Sequence, residues 1–382
     1  MYRASRGAMR KNRFILGEIM KIKIKFTVPF MLAASIAFTA CGGGGGGTAS
    51  VTSDPEEAVG NVVTISVGFE TVDMVYVNDQ ESINFPTGTN DDVEKNIARK
   101  YYMTRTEVTN ALFAAVYQWA YDNGKFSDTV ADHNGINDEA AKNGGNQLVN
   151  FGGAQAKVMF DPGTKDFSVT TGFEDYPVVH VTWYGAIMFC NWLTEMMTGT
   201  DELVYGGITS SWASIDTVED ADKKGYRLPS SNEWEFAARY RGGDSINTVD
   251  GYSNPSFTKG NSASGATTFY FDYAYGGGEP GKSANDSVAV YYSYWDGVTW
   301  VATGVTGLAV VASKGPFGAN ELGLYDMSGN VWEWCFTADG VNRVQRNGSW
   351  SSNSVGLQVG SMLSAGPGSQ NSDIGFRFSR TR

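Results

Sequence analysis

With 382 residues, 42% of them hydrophobic and including 10 Trp, 19 Tyr and 21 Phe, the chain can fill a large core, which excludes a disordered protein. Its 47 glycines follow no three-residue period, so they mark turns and loops and not a collagen-like rod. Lys and Arg number 29 against 41 Asp and Glu, and the net charge of −12 argues against nucleic acid and anionic lipid as partners.

In chain order, residues 1–19 read as an upstream mis-start or leader extension. Residues 20–40 predict a signal peptide, with Lys21, Lys23 and Lys25 as the basic region, Phe26 to Phe38 as the apolar region, and small residues leading to Cys41. The pattern resembles a bacterial lipoprotein signal. It implies cleavage before Cys41 and acylation there, which anchors the protein to a membrane without a spanning helix. A plain secretory signal or a short anchor helix is the alternative. The expected location is the bacterial cell envelope, lipid-anchored at the outer membrane and exposed on the surface. Residues 1–40 hold eight Lys or Arg and one Glu, so their removal leaves 21 basic and 40 acidic side chains, a net charge of −19. Cys190 and Cys335 then remain, and an exported location permits one bridge between them. Residues 41–58, with Gly42 to Gly47 at their start, form a flexible Gly/Ser-rich tether.

Residues 59–382 read as a single domain. VVTISV, MVYV and YYMTR are strand-like runs rich in β-branched and aromatic residues. A first helix is expected after Thr106 as N-cap, where Val108, Ala111, Leu112, Ala115, Val116 and Trp119 recur at helical spacing. A second follows Thr182, with Trp183, Ala186, Ile187, Cys190, Leu193 and Met197 on one stripe. In RLPSSNEWEFAARY, Ser230 and Glu233 stand at capping-box spacing and start a third. Asp122 to Gly153 and Gly242 to Gly265 read as long connections.

Four segments, YPVVHVTWYGAIMFCNWL, GYRLPSSNEWEFAAR, NELGLYDMSGNVWEW and RVQRNGSW with GFRFSR, together resemble the formylglycine-generating-enzyme family. The likeness runs from about Tyr101 to the C-terminus. It implies an α+β fold of the C-type-lectin-like type with much irregular structure. In DMSGNVWEW, Gly329 and Asn330 permit positive φ and aim neighbouring carbonyls inward, while Trp332 and Trp334 alternate with Glu333 as on a half-buried strand. Carbonyls of Ser328, Gly329 and Val331 with the Glu333 carboxylate would supply hard oxygen ligands, and the resemblance implies a calcium ion there. Alternatively, Glu333 pairs with an arginine and the turn is only a turn. No other cofactor is expected.

Catalysis is where the chain departs from the family. Its oxidase members carry two cysteines after a GGS[YW] motif and use them with copper. Here the segment reads NGSWSSNSVGL, which puts Ser352 and Leu357 at those places, and neither binds copper. Another branch of the fold binds iron through several histidines, but the chain has only His133 and His180. His180 reads as a satisfied core histidine, and His133 lies in a polar loop without a partner. Ser230 and Ser231 belong to a helix cap, with no triad in view. In GGGEPGKS, Gly276 has the spacing of a phosphate-binding loop, yet no apolar strand precedes it and no helical period follows. Cys190 reads as core, and Glu56-Glu57 and Asp91-Asp92 as solvated charge. No catalytic residue is therefore assigned.

The lipoprotein signal, the family scaffold without its cysteines and the terminal GFRF together resemble the variable proteins of diversity-generating retroelements. There, adenine-directed mutagenesis rewrites codons such as AAC, which can yield Ser, Gly, Asn, Asp, Val, Leu or Ala but never Gln, Met, Trp, Lys or Glu. Within residues 343–382, the rule makes Trp350, Gln358, Met362 and Gln370 framework. It permits variation at Ser351, Ser352, Asn353, Val355, Gly356, Ser361, Leu363, Ser364, Gly366, Gly368, Ser369, Asn371 and Asp373. Burial of Trp350, Leu357, Val359, Ile374 and Phe376 should hold the frame, with Arg377 paired to a carboxylate. The expected partner is a protein or other surface ligand bound by a monomer. Three readings follow: a diversified binding lipoprotein, a constitutive scaffold lipoprotein of the same fold, and an enzyme with an unrecognised site.

Overall fold

The β-branched run VVTISV forms the strand Val62–Val67, which turns at Gly68 and pairs antiparallel with Glu70–Asn78. The computed structural model describes residues 58–126, 131–132, 135–137, 146–208, 214, 217–267 and 279–382. Residues 1–19, the signal at 20–40, Cys41, the glycines of the tether, Glu56-Glu57 and His133 lie outside the described residues. The first two strands continue into a five-stranded antiparallel sheet through Tyr101–Thr104, Ser379–Thr381 and Tyr226–Arg227. The carboxyl-terminal strand is thus interior to the sheet. Met74 and Phe378 join one core cluster, whereas Val75, Val77, Tyr101 and Met103 join the other. Both faces are covered where residues 74–78 pair with Tyr101–Thr104, so MVYV reads as a continuous apolar run.

Helix α1 spans Asn110–Asp122, and its N-cap is Thr109, whose hydroxyl accepts from Leu112 N at 3.2 Å. This corrects Thr106. Val108 is still extended, its N–H donating to Phe376 O and its carbonyl accepting from Val178 N, so the helix cannot begin sooner. Helix α2, Trp183–Thr198, starts at Thr182 as its sequence predicts. The two helices pack through Phe113 on Phe189 and Tyr117 edge-on to Trp192. Gly185 allows the contact of α2 with the 147–150 strand, because a Cβ there would lie 2.1 Å from Leu148 O.

Helix α3, Ser231–Arg239, carries the expected capping box: Ser230 Oγ accepts from Glu233 N, and Glu233 Oε2 accepts from Ser230 N. Its polar face is an ion-pair lattice. Arg227 grips Glu233 with two nitrogens at 2.7 and 2.8 Å, and Glu235 accepts from both Arg239 and Arg346. Asp91, expected to be solvated, accepts from Arg239 Nη1 at 2.5 Å and from Gly260 N at 2.8 Å. Pairing with a buried guanidinium overrides its polar sequence context.

Other expectations change as well. The 122–153 connection contains the strands Ala131–Asp132, Gly135–Asn137 and Gln147–Asn150, and the 242–265 connection contains Ser256–Phe257. These strands are too short to show a period. Gly281, Lys282 and Ser283 lie inside helix α4, Glu279–Val288, contrary to the expectation of no helix there. Lys282 pairs with Asp286 one turn later, which occupies the ammonium with an intrahelical partner.

Candidate ligand-binding face

A second sheet carries the carboxyl-terminal segment. Its four strands are ordered Leu363–Ala365, Asn342–Arg346, Trp332–Asp339 and Ile374–Gly375, the last pair parallel. Arg346 ties this sheet to α3, donating to Ser231 Oγ and Glu235 Oε2, both at 2.8 Å. Trp332, Glu333 and Trp334 are all buried, not alternately exposed, because α2 and α3 cover the two faces. The Trp334 indole donates to Val181 O, and the Trp183 indole donates to Cys335 O, each at 3.0 Å.

Glu333 is fully buried and faces Arg377. Arg377 Nε donates to Oε2 at 2.7 Å and Nη2 to Oε1 at 2.8 Å, while the Trp234 indole donates to Oε2 at 2.6 Å. The expected carboxylate partner of Arg377 is therefore Glu333. Burial pushes the carboxyls of neighbouring Glu107 and Asp326 upward, since one guanidinium cannot neutralise three carboxylates.

The calcium expectation meets a different geometry. Gly329 and Asn330 do adopt positive φ, at 93° and 62°. The carbonyls of Asp326, Gly329 and Val331 converge, but on Asn347 Nδ2, at 2.8, 2.7 and 2.8 Å, with Glu333 Oε1 at 3.4 Å. Ser328 is not in this group. Its hydroxyl donates to Leu357 O and accepts from Ser264 N. An amide nitrogen occupies the centre of the oxygen cradle and a guanidinium pairs with its carboxylate, so Gly329, Val331 and Glu333 have protein partners here, the arrangement the arginine alternative expects. Asn347, in the left-handed region at φ 96°, is the residue that sequence reasoning missed. The signal was available: Asn stands where the GGS[YW] pattern has Gly.

The thirteen positions named as candidates for variation are exposed or half-buried, whereas Ser354, Leu357, Val359 and Gly360, whose residue types the codon rule also allows, are buried. Ser351, Ser352, Asn353, Val355 and Gly356 form one group with Asn371 and Asp373. Asp373 Oδ2 accepts from Ser349 Oγ at 2.9 Å and Ser351 Oγ at 2.7 Å, and Ser352 Oγ accepts from Ser349 N at 3.0 Å. Asn353 caps the short helical turn Ser354–Leu357 by accepting from Val355 N. The second group, Ser361, Leu363, Ser364, Gly366, Gly368 and Ser369, runs along the sheet edge, where Ser364 donates to Asp339 at 2.6 Å. At Gly368 a Cβ would meet nothing within 4 Å, and at Gly366 only Ser369 Oγ at 3.7 Å. Gly356 is tighter, with Ser352 Cβ 3.0 Å away, so a side chain there requires Ser352 to shift by a few tenths of an ångström.

Beneath this face, Leu357, Val359, Ile374 and Phe376 are buried as expected. Trp350 is only half-buried: its indole donates to Ser372 O at 3.2 Å while the ring stays partly open. Met362 is 52% exposed beside Leu363 at 50%, which makes it a framework residue on the surface. Ser352 and Leu357 stand where the oxidases have cysteines, and Leu357 packs on Ala263, Ala289 and Tyr291. Cys190 and Cys335 are free and fully buried, and burial pushes both thiols upward, away from the thiolate needed for chemistry. No bridge forms. His180 is buried, its Nε2 2.6 Å from Ala154 O, which satisfies it as a core histidine.

Residues 48–382 match the family described as the Sulfatase-modifying factor enzyme 1-like domain. Among curated proteins, the chain is 28% identical over 210 residues to Chaperone protein LppX of Paenibacillus barcinonensis, covering 47% of this chain and 60% of that protein. It is 26% identical over 212 residues to Inactive C-alpha-formylglycine-generating enzyme 2 of Bos taurus, covering 53% of this chain and 50% of that protein. The chain thus spans half to three-fifths of the length of these relatives. Among solved structures, Treponema denticola variable protein 1 superposes with a TM-score of 0.52 at 24% identity, over 84% of this chain and 99% of that one, a likeness of fold. With residues 48–382 matched and an α+β fold shared with that structure, the chain belongs to the sulfatase-modifying factor enzyme 1-like family.

Proposed function

We propose that this protein is a non-catalytic, lipid-anchored binding protein that displays the surface built from residues 351–373 to a protein or other surface ligand, and that a retroelement diversifies that surface. One observation carries the reading. The thirteen candidate positions are all exposed or half-buried, while four of the five residues expected to hold the frame are buried. A segment that must change sequence and keep its fold needs this division, because side chains outside the core change stability little. The Ser and Leu in place of the family's cysteines and the buried state of Cys190 and Cys335 favour binding over oxidase chemistry. Similarity to an inactive formylglycine-generating enzyme and to a variable protein points the same way.

Sequencing of the gene and its flanks tests diversification. The expected result is a template repeat differing from the 3′ end of the gene only opposite template adenines, next to a reverse transcriptase. Absence of both from a complete genome sinks diversification and leaves the constitutive scaffold. Protease shaving of intact cells tests display, and loss of the 351–373 peptides is expected. Cysteine-substrate oxidation by the purified protein would overturn the non-catalytic assignment.

A further inference from the structure

Arg343, on the strand Asn342–Arg346, is 5% exposed, and no carboxylate among the described residues lies within ion-pair distance of it. Its guanidinium lies 4.0 Å above the Trp183 ring and 5.3 Å from that of Phe336. Nη1 donates to Phe336 O at 2.6 Å and Nη2 to Ser214 O, while Nε has no partner. The other buried arginines with two acidic contacts or a forked one, Arg227, Arg239 and Arg377, show what this fold does with such a charge. Among the described residues, Arg343 departs from that rule.

The same arginine lines a cavity of about 530 Å³, a size that suits a small organic molecule. Tyr184, Phe336, Val341 and Pro367 give it apolar walls, and among the described residues of the lining Arg343 is the single charged one. Removing a guanidinium from water without a counter-ion is costly, so the cavity is complementary to an anion that brings an apolar body. We propose that this cavity binds an organic monocarboxylate with an aromatic or branched aliphatic body, the carboxylate meeting the Arg343 guanidinium and the body lying against Phe336 and Val341. Pro367 stands between Gly366 and Gly368, so substitutions at those positions would reshape the rim. The proposal rests on Arg343 and its cavity and stands whether or not the segment is diversified.

The test titrates the full-length chain with 4-phenylbutyrate and, separately, with its neutral counterpart 4-phenylbutan-1-ol, by calorimetry or saturation-transfer NMR. The acid should bind roughly tenfold tighter than the alcohol, as a charge-assisted contact predicts. Arg343→Met should remove that preference and leave the alcohol unchanged. Val341→Glu, at an 81% exposed position on the rim, should weaken both ligands by removing an apolar contact, and the acid further by like-charge repulsion, without touching the core. No binding of the acid, equal binding of acid and alcohol, or an undiminished preference in both variants would overturn the proposal.

Discussion

Arg377 and Asn347 act together as the internal support of the Glu333 turn, and each gives a distinct experimental signature. Arg377→Met leaves the Glu333 carboxylate buried without its partner, which should cost about 3–5 kcal/mol in urea unfolding. Asn347→Gly suits the backbone at φ 96° but removes the two amide hydrogens that the carbonyls of Asp326, Gly329 and Val331 share, so a loss of about 1–3 kcal/mol is expected. Because the amide already fills the cradle, the melting temperature of the unaltered chain should be the same in calcium chloride and in EDTA. A calcium-dependent rise would show that the cradle accepts the ion after all. The sequence made Glu333 legible as a residue with either a cation or an arginine for company. It could not choose, since Asn347 and Arg377 reach the turn from 14 and 44 residues away along the chain.

At the scale of elements, local signals were most readable where the backbone itself demanded a residue type. Ser230 and Glu233 predicted the start of α3 to the residue, and Ser230→Ala should lower stability by about 1 kcal/mol, read from the urea midpoint. Thr106 failed as a cap for the opposite reason: long-range strand pairing at Val108 delayed α1 until Thr109. The carboxyl-terminal segment divides in the same manner. Ser351→Trp, Gly368→Asp and Asn371→Arg should each stay within about 0.5 kcal/mol of the parent, whereas Leu357→Ser should cost about 2–5 kcal/mol by emptying a packed site. Thermal scans of these variants separate a face that tolerates change from one that does not. A large loss at the three exposed positions would contradict the assigned division. The half-exposure of Trp350 and the exposure of Met362 escaped the codon rule, which speaks of how a residue arises and not of where it points.

At the scale of the whole molecule, acid stability should follow the buried ion pairs. Burial alone would raise the Glu233 carboxyl, but the Arg227 fork and the Ser230 amide outweigh it and hold it below its ordinary value of 4.5. A depressed carboxyl contributes stability that is fully present above the unfolded value and disappears as pH falls through the folded one. Urea midpoints measured downward from about pH 6 should therefore drop below about pH 4.5, and Glu233→Gln should flatten that part of the curve. The sequence by itself determined the family scaffold, the capped starts of α2 and α3, the missing cysteines and the burial of Leu357, Val359, Ile374 and Phe376, because these depend on residue type and short spacing. Only the tertiary structure decided that Asn347 fills the oxygen cradle, that Arg377 neutralises Glu333 and that Arg343 has no acidic partner among the described residues. Those outcomes depend on contacts between distant segments, whose side chains meet only after both sheets have closed around the core.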